Sequence, residues 1–369
     1  MTHKERFRAA FSGEPVDRVP VYFFGTWPET KVRWKKEGLD TIRGYNDPGP
    51  QVPGMDPDWE EGLWDYHGLL TANALGNIQP EIIEETGDYL IHRTSEGDIR
   101  KDSKLGSSIP QFIKHGLEPT RESWNTYKAF LNPKDPRRYK DNWEQKAQKL
   151  NSEDRVVALM GGSLYGWLRG FMGIENLSYL MYDDSGLFEE IIGYMADYFI
   201  TLLEPVVKRV QFDLVYIFED CCGSNGPLFS PKVYKTVFDK YYKKLIGFYK
   251  GCGIPFIMVD SDGKVDQLIP LWFGSGFDII FPLEVGKWNA NPAEMRNRFG
   301  NRLKIFGGVN KHVITQGENA IRQHLEQLKP AVRQGGYIPI PDHRIPPDCS
   351  YSQFLTYIRV FNEVFNNNN

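Results

Sequence analysis

The sequence is short of the features that most quickly place a chain. Its 369 residues hold only four cysteines, Cys221, Cys222, Cys252 and Cys349, two of them adjacent and none in a Cys-x-x-Cys. That is too few for a disulfide framework, so a reducing, cytosolic compartment is expected. Nowhere do about 18 apolar residues run together, which leaves no transmembrane span. The start, Met1-Thr2-His3-Lys4-Glu5-Arg6, is polar with no apolar run behind it, so no signal peptide is expected and the chain reads as soluble and cytoplasmic. Neither sign of charge dominates: 44 Lys+Arg stand against 48 Asp+Glu, a net charge of -4. A nucleic-acid partner, which calls for a basic excess, is therefore not expected. Hydrophobic residues at 41% and charged residues at 25% exclude disorder, collagen and coiled coil.

Aromatic residues are what the chain has in quantity, at 14%, from 23 Phe, 19 Tyr and 9 Trp. They serve either a large core or a pocket for a flat ligand. The second pattern is alternation. Short β-branched or aromatic runs at 155–160, 213–218, 255–259, 277–281, 303–306 and 336–340 are separated by segments of helical period. Ser230-Pro231 places a cap before Pro at the first helical position, and Gly251-Cys252-Gly253 stops that helix. Another helix is predicted over 185–210, with Leu187, Ile191, Ile192, Met195, Tyr198 and Phe199 on one face. The lysines of the helix over 232–250 read as a solvated face.

Strands separated by helices imply right-handed crossovers and a parallel sheet. A seventh strand fits 19–24, after a helix opened by the capping box Thr2-x-x-Glu5 with Phe7, Ala10 and Phe11 inward. An eighth fits near 89–92. The fold expected is α/β, a single (β/α)8 TIM barrel over 1–365 with N-terminal insertions. An irregular insertion and a polar hairpin around Ser95-Glu96-Gly97-Asp98 fill about 44–120, and 366–369 is a disordered tail. A doubly wound sheet is disfavoured, because no Gly-x-Gly-x-x-Gly follows any strand.

In a parallel barrel the chemistry gathers at the C-terminal strand ends. Those ends carry Glu219-Asp220, Asp260-Ser261-Asp262-Gly263, Glu284, Gly307-Gly308-Val309-Asn310 and Pro341-Asp342-His343. Asp260-x-Asp262-Gly is not a calcium loop, since Val265 and Leu271 stand where its Gly and bidentate Glu belong. Several acids converging with one His repel one another unless a cation or cationic substrate relieves them. Two carboxylates plus His would hold a mononuclear metal or do metal-free acid/base work, and the residues alone leave both open.

Three stretches carry a family resemblance: Glu5-Arg6-Phe7 through Pro15-Val16-Asp17-Arg18-Val19-Pro20, then Gly307-Gly308-Val309-Asn310-Lys311, and Gly335-Gly336-Tyr337-Ile338-Pro339 with Pro341-Asp342-His343 and Pro346-Pro347-Asp348. The chain resembles the uroporphyrinogen decarboxylase superfamily over nearly its whole length, which implies one TIM barrel. The decarboxylase branch of that superfamily carries an arginine-rich loop after its first strand. Here that loop is Phe24-Gly25-Thr26-Trp27-Pro28-Glu29-Thr30, without Arg, a poor match for a many-armed acid.

The cobamide-linked methyltransferase branch has zinc held by His-x-Cys and a later Cys. Asp260-x-Asp262 and His343 stand at those places, a harder site. The resemblance thus implies a methyltransferase or O-demethylase component moving a methyl group between a small substrate, methoxylated aromatics among them, and a corrinoid on a partner protein. On this reading Asp260, Asp262 and His343 are ligands of a divalent metal, zinc first. Glu219, Glu284 and His343 carry acid/base roles, and Trp27, Tyr165, Trp167 and Asn310 line the substrate pocket. No membrane is involved, and a homodimer is allowed. The alternatives are a carboxy-lyase of an aromatic or tetrapyrrole acid and a non-catalytic barrel that binds a corrinoid or porphyrin.

Overall fold

The computed structural model of the chain describes residues 1–39, 52–104, 110–286, 288 and 290–367. Part of the expected insertion, 44–51 and 105–109, therefore lies outside the described residues. Four strands come first, β1 (Glu81–Glu85), β2 (Tyr89–Arg93), β3 (Ile99–Ser103) and β4 (Gln111–Lys114), paired in sequence order as an antiparallel sheet. Six parallel strands follow: β5 (Ala158–Met160), β6 (Leu214–Phe218), β7 (Phe256–Asp260), β8 (Ile279–Leu283), β9 (Lys304–Val309) and β10 (Tyr337–Pro341). They hydrogen-bond in the order β10-β9-β8-β7-β6-β5, each neighbour one step along the chain, with helices between. This is the α/β barrel class, and all six expected runs are strands of it. No helix of the described residues is long and apolar enough to cross a membrane.

The two remaining strand expectations need correction. Residues 19–24 form no ladder, because the Val21 amide donates to the Asp56 carboxylate and the Val21 carbonyl accepts from the Asp56 amide. The segment joins β10 only beyond its end, through the Thr26–Ile345 bridge. Tyr89–Arg93 belongs to the antiparallel sheet, where tight turns at Thr86–Tyr89 and Thr94–Asp98 fold it on its neighbours. The outer edge of β5 is met by His67, whose Nε2 lies 2.7 Å from the Ala158 carbonyl.

The capping box of the first helix, His3–Ser12, is present, and Gly13 ends the helix at φ 75°. Its inward Phe7 and Phe11 plug the N-terminal end of the barrel, Phe11 lying 5.7 Å from Phe256 and 5.6 Å from Phe306. Around this plug runs an ion network. Arg6 donates to Asp17, and Arg6, Arg18, His3 and the Val21 amide surround the buried Asp56. Burial pushes the Asp56 carboxyl up, but the hydrogen bonds from Arg18 and Val21 and the Arg18 charge outweigh it and hold it below its usual value. Asp17 is held far lower, chiefly by its hydrogen bond from Arg6. The N-terminal stretch that carries the family resemblance is thus a structural clasp.

Helix Ser185–Val207 buries the six residues expected of it and is capped by Asp184. Ser230 caps the next helical run by accepting from the Val233 amide, and a π turn at Tyr234–Phe238 precedes Asp239–Gly251. Its lysines are solvated and ion-paired, Lys240 to Glu189, Lys243 to Asp239 and Lys244 to Asp197. Asn366, expected in the disordered tail, exchanges hydrogen bonds with the Val19 backbone, and 368–369 lie outside the described residues. Much of the aromatic content fills the barrel. Trp59 is fully buried there, 5.1 Å from Phe281, 5.2 Å from Phe306 and 6.1 Å from Tyr216.

Candidate active site at the C-terminal rim

The strand ends divide the expected site residues into those that build loops and those that face one another. Glu219 is a builder. Its buried carboxylate accepts from the amides of Leu164, Tyr165 and Gly166 and from Ser163 Oγ, at 2.8–3.1 Å. These amides open helix Gly166–Met172, where a negative charge is well placed. Burial raises the carboxyl and the backbone hydrogen bonds oppose it, leaving it raised. With every oxygen engaged and 1% exposure, Glu219 has no room for acid/base work.

Glu284 is also a builder: it accepts from the Gly263 amide and from Trp288 Nε1, both at 2.7 Å. Gly263 sits at φ 84°, where a Cβ would meet the carbonyls of Cys222 and Gly223 at 2.8 Å. Asn310 caps the turn Lys311–Gln316, its Oδ1 accepting from the His312 amide. Tyr165 and Trp167 are corrections too. Tyr165 packs on Phe229 at 5.1 Å, and Trp167 packs on Phe199 at 5.1 Å in the layer of helices outside the sheet. A residue just after a strand can turn outward with the helix it begins, as Trp167 does against Phe199 of helix Ser185–Val207, while Tyr165 is buried whole.

Asp260, Asp262, His343 and Trp27 are brought together. Asp260, the last residue of β7 and 4% exposed, accepts a hydrogen bond from the Tyr216 hydroxyl of β6. Burial pushes its carboxyl well above the carboxylate range. The Asp262 charge adds to the shift, the Tyr216 hydrogen bond opposes it, and Asp220 and Glu60 push further. Asp262 Oδ2 lies 3.4 Å from His343 Nε2, while His343 Nδ1 is buried without a partner. Trp27 stacks on the His343 ring at 5.6 Å and 26°, and Phe24 meets it edge-on at 5.5 Å.

Two members of this rim were not expected, Glu60 and Arg344. Arg344 Nη2 lies 3.8 Å from Glu60, and Nη1 donates to the Phe24 carbonyl. Gly25 leaves the space, since a Cβ there would stand 2.7 Å from Arg344 Nη1. Burial raises the Glu60 carboxyl to about 7 against the opposing charge of Arg344, with Asp58 adding to the rise. Trp64 donates its indole N–H to Glu60 and packs 5.6 Å from Tyr216, so Glu60 also supports the ring beside the acid. Arg344 directly follows His343 and could have been suspected. Glu60 sits in an irregular segment with no periodic signal. Asp342, buried beside them, gathers the amides of Val285, Gly286 and Lys311.

The residues do not form the expected three-ligand metal set. Asp260 is turned to Tyr216, leaving only Asp262 and His343 facing each other, and no group of three His, Cys, Asp or Glu that could hold a metal occurs among the described residues. The arrangement is instead a buried carboxyl, Asp260, close to the facing Asp262 and His343 side chains, with the Trp27 indole stacked on the imidazole.

No curated protein matches the chain. Among solved structures, a methyltransferase from Methanosarcina mazei superposes with a TM-score of 0.59 at 14% identity, over 98% of this chain and 99% of that one. A vitamin-B12-independent methionine synthase from Listeria monocytogenes, itself described as putative, covers 58% of this chain and 65% of that one, with a TM-score of 0.36 and 14% identity. The first shares the fold, and the second is too distant to carry an argument. The family model for uroporphyrinogen decarboxylase (URO-D) matches residues 148–364, from just before β5 to the last helix. The chain belongs to the uroporphyrinogen decarboxylase family.

Proposed function

We propose that the chain is a methyltransferase of this family, acting on a small substrate such as a methoxylated aromatic and passing the methyl group to a corrinoid carried by a separate protein. The observation that carries the reading is Asp260, a carboxyl buried against the Tyr216 hydroxyl and raised well above its ordinary value by burial and the Asp262 charge, at the strand end where barrel enzymes place their chemistry. Demethylation of an ether breaks the methyl–oxygen bond and leaves the bonding pair on oxygen. That oxygen needs a proton, and Asp260 can donate one. Tyr216 then stabilises the carboxylate left behind by donating its hydroxyl hydrogen bond. Trp27, stacked on His343, offers the flat apolar wall that an aromatic ring would meet. A reduced corrinoid on the partner would supply the electron pair that takes the methyl group, and the residues of this chain would serve to orient the ether and to hand its oxygen a proton.

A carboxy-lyase reading is less well supported. Asp220 is already ion-paired with Arg169 and Glu60 lies 3.8 Å from Arg344, so little unengaged positive charge faces the rim for a polyacidic substrate. The test is methyl transfer from a panel of methoxyarenes to a reduced cobamide, run beside decarboxylation of uroporphyrinogen. Methyl transfer with no release of carbon dioxide is expected. Silence across the panel together with decarboxylation would overturn the reading.

A further inference from the structure

At the N-terminal end of the barrel, opposite the rim, the clasp leaves a space open. A cavity of about 400 Å³ lies between residues 13–20, the end of helix Glu318–Arg333, the start of β10 and the end of helix Tyr351–Phe365. That is the size of a small-molecule site. Its walls are set before any ligand arrives. Asn366 accepts from the Val19 amide and donates to the Val19 carbonyl, and Arg6 grips Asp17 through two nitrogens, so the strap 13–20 is held in place at both points. At the other end of the strap Gly335 lies so close to Gly13 that a Cβ on it would stand 2.5 Å from the Gly13 Cα. A hollow framed by fastened backbone loses little freedom when it is filled.

The lining is apolar with charge at its edge. Val16, Val19, Val332 and Phe365 contribute to it, and the Tyr337 hydroxyl beside them is engaged by the Gly307 carbonyl. Two cations also line it, and they differ. Lys329 is held by Glu326 of its own helix at 2.9 Å. Arg333, exposed in the last turn, has no hydrogen bond, ion pair or ring contact among the described residues. Glu14, exposed on the same lining, has none either, so the two side chains do not reach each other. A helix C-terminus favours a cation wherever it lies in the last turn, but that does not account for an apolar hollow beside it.

We infer that this cavity binds a small monocarboxylic acid with an apolar body, its carboxylate on Arg333 and its chain against Val16, Val19, Val332 and Phe365. A guanidinium takes a carboxylate through two parallel hydrogen bonds, which fixes the head, and the apolar walls take the body. Glu14 repels a second negative charge, so a phosphate dianion is disfavoured. An uncharged molecule of the same shape leaves Arg333 to water and binds more weakly. The site is separate from Asp260, since it borders the start of β10 while His343 follows that strand's far end.

Calorimetric titration of the full chain at pH 8 with octanoate, 1-octanol and octyl phosphate tests this. One octanoate per chain is expected to bind, more tightly than either of the other two. Arg333→Gln should weaken octanoate by about tenfold or more and leave octanol unchanged, and Glu14→Gln should narrow the gap to octyl phosphate. Arg333 makes no contact within the fold, so its variant should melt with the unmodified chain. Hydrogen exchange on the unmodified chain locates the ligand, with octanoate slowing the amides of 13–19 and 332–337. No saturable binding at millimolar octanoate, equal affinity in Arg333→Gln, or slowing confined to the rim would each overturn the inference. None of these readouts involves methyl transfer, so their failure leaves the reading of the rim standing.

Discussion

The two ends of the barrel use the same residue types to opposite effect. At the N-terminal end Asp17 and Asp56 are each matched by guanidinium groups and held below the usual carboxylate range. At the C-terminal rim Asp260, Glu219 and Glu60 are all raised, chiefly by burial. Paired charge at one end clasps the chain. Burial with less compensation at the other raises the carboxyls, which costs stability and makes sense where chemistry is done.

The largest expected effect lies at the rim. Asp260→Asn removes the proton and keeps the shape, so methyl transfer should fall by about 10²–10⁴-fold while the melting temperature stays level or rises. Asp56→Ala should do the reverse. It leaves Arg18 half-buried without its carboxylate and Arg6 with Asp17 alone, costing about 3–5 kcal/mol in urea unfolding, with per-molecule activity retained in whatever stays folded. If either variant behaved as predicted for the other, the contrast between the two ends would be wrong.

The pH dependence sharpens the same contrast. Glu60 titrates near 7 when folded and near about 4.3 when unfolded. The folded chain holds the extra proton between those values, so this contribution to stability is complete below the unfolded value and is lost as pH rises through about 7. Asp56, depressed in the fold, contributes above its unfolded value and loses that contribution as pH falls through the folded one. Denaturant unfolding from pH 5 to 8 should therefore show a decline in the unmodified chain that Glu60→Gln flattens. The smallest expected effect is that of Trp27→Ala, which should raise KM for an aromatic substrate by about 2- to 10-fold with less change in kcat.

The barrel was legible because each parallel strand is a short apolar run closed by Gly, Asp, Glu or Asn, and burial on both faces enforces that pattern. Residues 19–24 carry the same signal and yet form no strand, because one distant carboxylate, Asp56, takes the amide that a neighbouring strand would need. The site was half legible. Reading off strand ends found Asp260, Asp262 and His343, but it could not tell them from Glu219 and Glu284, since all end strands and only contacts show which oxygens are spent on amides. Tyr216 lay hidden inside β6 as one more apolar-looking position. Glu60 had no periodic neighbourhood to mark it.

The account stands or falls on the protonation of Asp260. The most direct measurement is the infrared difference spectrum between the unmodified protein and Asp260→Asn at pH 7.5, in the carbonyl stretch of a neutral carboxylic acid. The account predicts a band in the unmodified protein that the variant lacks. A carboxylate band in its place, showing Asp260 ionised at that pH, would contradict it.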